Sequence, residues 1–132
     1  MSIQGEPDLE AVVRERGGHA YVVTVSDQGG PHAVWVPVGW ERGGPVAEVG
    51  PTTARNAAAR PRISLLFPVR TEGDYSLIVD GTAAAEPGGE TPRLRLTPTK
   101  VVLHRPDPSP DPASSCGADC VSIAMPLSIG RA

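Results

Sequence analysis

The chain has 132 residues, 39% of them apolar and 20% charged, with a formal net charge of −3. That length suits one domain able to bury roughly two-thirds of the surface its unfolded form would expose. The composition excludes a disordered polymer, and no apolar run approaches the roughly 20 residues of a bilayer span.

Twelve scattered cations against fifteen acids argue against a nucleic-acid partner, which would need a basic patch along the phosphate backbone. No membrane partner is expected. The opening MSIQGEPDLE carries acids and no apolar core, so no secretory leader is expected and a cytoplasmic location is.

Leu9, Val12 and Val13 recur at i, i+3 and i+4 before Gly17 and Gly18, which predicts a short N-terminal helix with a glycine stop. AYVVTV (20–25) reads as a first strand, SDQGG as a turn, and PHAVWVPVGW (31–40) as a second strand forming a hairpin with the first. In that second strand Ala33, Trp35, Pro37 and Gly39 face one way, and His32, Val34, Val36, Val38 and Trp40 the other.

ERGG makes the next turn and PVAEVG a short third strand. A helix is expected over residues 54–60, with Thr52 or Thr53 as its cap and Pro61 as its stop. RISLLFPV, YSLIVDGTAAA and RLRLTPTKVVLH supply the fourth to sixth strands, the last broken near Pro98.

Prolines at 106, 108, 110 and 112 then predict an extended linker over 106–113. Beyond it, residues 120–129 alternate, with Val121, Ile123, Met125, Leu127 and Ile129 on one side. This predicts a seventh strand within 114–132, marked by Pro126 as an edge strand or one meeting another subunit. The domain proper is residues 1–105.

Six or seven short strands, only brief helices and 30 Gly plus Pro predict a mainly β fold, an antiparallel barrel or sandwich. Cys116 and Cys120 have the wrong spacing for a zinc knuckle or a redox pair and read as reduced thiols. A disulfide, or a metal site completed by His104 or His32, is the alternative.

The segment TTARNAAARPRISLLF (52–67) has two readings. A helix N-terminus gathers free N–H groups and the positive end of the dipole, so Thr52 and Thr53 with Arg55, Arg60 and Arg62 nearby suit a phosphate. Alternatively the threonines only cap a helix that packs through Ala57 to Ala59.

The order of the segments bears on the choice without closing it. The hairpin with GGPHAVWVPVGW, the segment ARNAAARPRISLLF and the strand YSLIVDGTAAA follow one another as in the pyridoxamine 5′-phosphate oxidase-like split β-barrel family, which the chain resembles from about Tyr21 to His104. The resemblance implies a six- to seven-stranded antiparallel split barrel of the FMN-binding type. It also implies a homodimer with a flavin (FMN) or deazaflavin (F420) between subunits, and a hydride transfer to a small substrate.

By the same resemblance, Trp35, Val36 and Pro37 lie along the flavin ring, and Thr52, Thr53, Arg55 and Asn56 lie on the phosphate-binding helix. Aligned on Asn56 and Pro61, the family's usual basic position falls on Thr53, and Arg55 stands about 200° further round a regular helix. The Arg-, Trp- and His-rich C-terminal extension of the true oxidases is absent, so pyridoxamine phosphate is not the expected substrate. EPGGETP (86–92) is shorter than the helical insert of many relatives, which leaves one side of the barrel open or covered by the C-terminal segment. No catalytic acid–base pair stands out. The alternative function is a split-barrel binding protein without turnover.

Overall fold

In the computed structural model, residues 8–106 and 118–123 are described. The elements are α1 (Leu9–Arg14), β1 (His19–Val25), β2 (Pro31–Glu41), β3 (Gly44–Glu48), α2 (Pro51–Ala59), β4 (Arg62–Phe67), β5 (Ser76–Ala85), β6 (Arg93–Pro106) and β7 (Ala118–Ile123). All pairings are antiparallel in the order β3-β2-β1-β4-β5-β6-β7, and a further β3–β6 pairing closes the first six strands into a barrel.

Alternation builds the core, because successive side chains on a strand point to opposite faces. Val22, Leu65, Phe67, Leu77, Val79 and Val101 are at most 1% exposed and fill the barrel. Val36 and Val38 of β2 point inward while Trp35, Pro37 and Gly39 point out, the division expected from the sequence.

β6 is continuous through Pro98 rather than broken there. Its register slips by one residue against β5, because Asp80 pairs with Lys100 and Gly81 with Pro98, so Thr99 bulges. The slip brings the strands so close that a Cβ on Gly81 would lie 2.3 Å from the Thr97 carbonyl oxygen. Glycine is required there by contact, not by backbone angle.

The first half of β6 pairs with β3 and the second half with β7, which returns to its own barrel and buries Ile123. β7 starts at Ala118, before the alternation expected from residue 120. Pro106, where the expected linker begins, is instead the last residue of β6, paired with Ala118; the rest of that linker (107–113), Cys116, and the positions of Met125, Pro126, Leu127 and Ile129 lie outside the described residues.

The β2–β3 hairpin turns through Arg42 (φ 49°) and Gly43 (φ 84°), the left-handed pair that matches strand twist. Arg42 is held there by an ion pair to Glu86, whose buried carboxylate also accepts from Arg95 Nε at 2.9 Å. Arg93 pairs with Glu41 at 2.5 Å and joins the same rim. Glu41 is held below the ordinary carboxylate range, chiefly by that hydrogen bond from Arg93. No helix among the described residues is long and apolar enough to cross a membrane.

Candidate functional site

Among the described residues, β2 presents an unpaired edge. The Val38 amide donates to the Gly18 carbonyl, so even-numbered residues of β2 turn their backbone groups toward β1 and odd-numbered ones turn away. β3 pairs with β2 only from Val38 onward. The backbone groups of Ala33, Trp35 and Pro37 therefore point to an edge that no strand covers among the described residues, although proline has no N–H to offer.

The same stretch carries an aromatic platform on the outer face. Trp35 is 52% exposed, stacks on His19 (centroids 5.6 Å apart) and leans on Tyr21 (4.9 Å). Register extends this face: Trp35 opposes Tyr21, Tyr21 opposes Leu66, Leu66 opposes Ile78 and Ile78 opposes Val102, an apolar row across five strands. Of the three β2 residues expected to border a ligand, Trp35 and Pro37 are exposed, whereas Val36 is 6% exposed and its side chain belongs to the core. Trp40, in contrast to Trp35, is half-buried against the core.

The helix differs from expectation. α2 begins at Pro51, with Gly50 as N-cap and no side-chain cap. Thr52 and Thr53 are thus helical residues, not caps. Pro51 at the first position is favourable for the helix but removes one of the N–H groups that an anion would use.

Thr53 is 2% exposed, and Asn56, also buried, donates from Nδ2 to the Thr24 hydroxyl at 3.1 Å. Asn56 therefore ties α2 to β1. Arg55 is exposed and has no partner among the described residues, and Arg60 at the helix end bonds the Val25 carbonyl and the Asp27 carboxylate. The first turn of α2 holds no cation.

Thr24 points into the barrel and Trp35 out of it. The two groups of site residues expected from sequence consequently sit on opposite sides of the β1–β2 ribbon within one chain.

Sequence reasoning missed a groove on the outer face, about 410 Å³, crossing β4, β5 and β6. Arg62, Ser64, Asp80, Thr99 and Lys100 line it, with Val23 and Val25 at its edge. Ser64 Oγ donates to Asp80 Oδ1 at 2.5 Å, and Thr99 Oγ1 to the Asp80 carbonyl at 3.3 Å. The one signal in the sequence was Asp80 itself, an acid in the middle of the otherwise apolar run SLIVDG.

Cys120 and His104 oppose each other across β7 and β6. Among the described residues no group of three His, Cys, Asp or Glu could hold a metal.

No family model matches the chain. Two uncharacterised proteins, from Mycobacterium tuberculosis and Mycobacterium bovis, are each 37% identical over 123 residues, 81% of this chain and 86% of theirs. Among solved structures, a candidate pyridoxamine 5′-phosphate oxidase from Listeria innocua superposes with a TM-score of 0.61 at 15% identity, covering 73% of this chain and 98% of its own. An F420 reductase gives 0.59 at 16% identity, covering 72% and 97%. HutZ, the heme storage protein of Vibrio cholerae, gives 0.55 at 19% identity, covering 70% and 92%. The chain belongs to the same family as the two mycobacterial proteins, and it shares the split β-barrel fold of these solved structures.

Proposed function

We propose that the protein binds FMN or F420 against the open edge of β2, in a cleft between two copies of the chain, and serves as an oxidoreductase acting on a small substrate. The bound ring would supply the hydride chemistry, and the chain supplies position and polar contacts. The observation that carries this reading is the uncovered backbone edge of β2 beside the exposed Trp35 platform. Such an edge offers N–H and C=O groups to the polar rim of a flat ring, and the platform offers a surface to stack on.

A second copy follows from the same surface. The row Trp35, Tyr21, Leu66, Ile78 and Val102 gives two chains an apolar face to bury. Residues on opposite sides of one β1–β2 ribbon can meet one ligand when a second chain supplies one of them.

A second reading is a binding protein without turnover, favoured by the absence of a cation in the first turn of α2. The heme storage protein among its structural neighbours makes heme the ligand to test for that reading, and His19 beside Trp35 supplies an exposed imidazole. Parallel titrations with FMN, F420 and hemin, followed by quenching of Trp35 and by ligand absorbance, separate the two. Saturable binding of FMN or F420 at one per chain supports the first reading. Binding of hemin alone supports the second.

A further inference from the structure

The helix that the family resemblance assigns to a cofactor phosphate does not fit one here. Pro51 takes away an amide, Thr53 and Asn56 are buried, Asn56 is already bonded to Thr24, and no cation lies in the first turn. We propose that the phosphate-bearing polyol tail of the ligand lies instead in the outer groove across β4, β5 and β6, with Arg62 and Lys100 as its cations. This rests on the reading of the β2 edge as the ring site.

Three observations carry it. First, every Arg and Lys among the described residues donates to a carboxylate or a carbonyl except Arg55, Arg62 and Lys100. Two of those three line this one groove. An unpaired guanidinium is suited to grip a phosphate through two parallel hydrogen bonds, and an ammonium adds a point charge.

Second, the groove holds acceptors and hydroxyls as well as cations. Asp80 lines it, bonded by Ser64, and Thr99 lines it at the bulge. Asp80 would repel a bare anion but accepts hydrogen bonds from hydroxyls. The combination selects an anion that carries a polyol, and FMN and F420 share that chemistry.

Third, the groove and the platform share a face. Val23 opposes Ala33 on one side and Ser64 on the other, and Tyr21 links Trp35 to Leu66. Ser64 is two strands across and two residues along from Trp35, about 12 Å by sheet spacing. A flat ring and its ribityl phosphate together are longer than that, so a ligand stacked on Trp35 can extend along the same face into the groove.

The test is titration of wild type, Arg62→Ala, Lys100→Ala and Arg55→Ala with FMN, and with riboflavin, which lacks the phosphate. For F420 the control is the deazaflavin without its phosphate. Loss of a charge-assisted contact predicts about tenfold weaker FMN binding in each groove variant, with riboflavin unchanged and Arg55→Ala close to wild type. FMN binding that falls in Arg55→Ala and holds in both groove variants overturns the proposal while leaving the cofactor reading intact.

If wild type binds neither cofactor, the cofactor reading fails and amide NMR with inorganic phosphate and glycerol phosphate decides the groove separately. Shifts at Ser64, Gly81 and Thr99 that vanish in the Arg62→Ala/Lys100→Ala double variant uphold the site. Unmoved amides reject it.

Discussion

Asn56 donates its side-chain amide to the Thr24 hydroxyl at 3.1 Å, and both residues are buried where α2 meets the barrel. The bond fixes the rotation of the helix, and with it the outward direction of Arg55. Asn56→Ala leaves the Thr24 hydroxyl without this donor and removes packing, so it should destabilise by about 1–3 kcal/mol. Thr24→Val in the Asn56→Ala background should cost less than in wild type. Urea denaturation of the four proteins measures that coupling.

Gly81 sets the join between β5 and β6. Gly81→Ala must part the strands at Thr97, since the added carbon would lie 2.3 Å from a backbone oxygen. We expect a loss of at least about 2 kcal/mol, in the range of overpacked cores, read as a lower denaturation midpoint at unchanged slope.

The rim network has a centre and a periphery. Glu86 is buried and serves both Arg42 and Arg95, while the Arg42 side chain is 69% exposed. Glu86→Ala should cost about 1.5–3 kcal/mol, the scale of hydrogen bonds to charged groups. Arg42→Gly loses an exposed contact but relieves a left-handed backbone, so it should stay within about 1 kcal/mol of wild type. Thermal melts of both variants compare them directly.

Acid should weaken the fold in a defined direction. Asp74 is held below its ordinary range first by the backbone amide of Tyr75 and then by Arg70, and Glu41 by Arg93. Groups with a depressed folded pKa stabilise fully above their unfolded values, about pH 4, and lose that contribution as pH falls through the folded ones. The melting temperature should therefore hold between neutral pH and about pH 5 and drop below about pH 4. Asp74→Asn and Glu41→Gln should lower it slightly at neutral pH and flatten the acid limb.

The sequence disclosed what depends on local pattern. Period-two alternation set Val36 and Val38 on one face of β2 and Trp35 and Pro37 on the other, the division the burial pattern shows, and glycines and prolines located the turns. It misled at the start of α2, because two threonines before an alanine run read as caps while Pro51 was the real first helical residue. Pro98 read as a break because the bulge that accommodates it lies at Thr99 and depends on pairing with β5. The outer groove was not legible, since Arg62, Asp80 and Lys100 come from three strands and meet only through register.

A ring site on the edge of β2, shared between two copies, is open to direct test. Equilibrium titration with FMN and F420, following Trp35 fluorescence in wild type and Trp40 fluorescence in Trp35→Ala, with light scattering on the same samples, tests it most directly. We expect a dimer that binds one of the two saturably at one per chain, with affinity reduced about tenfold or more in Trp35→Ala. A monomer, or a dimer that binds neither compound, would contradict it.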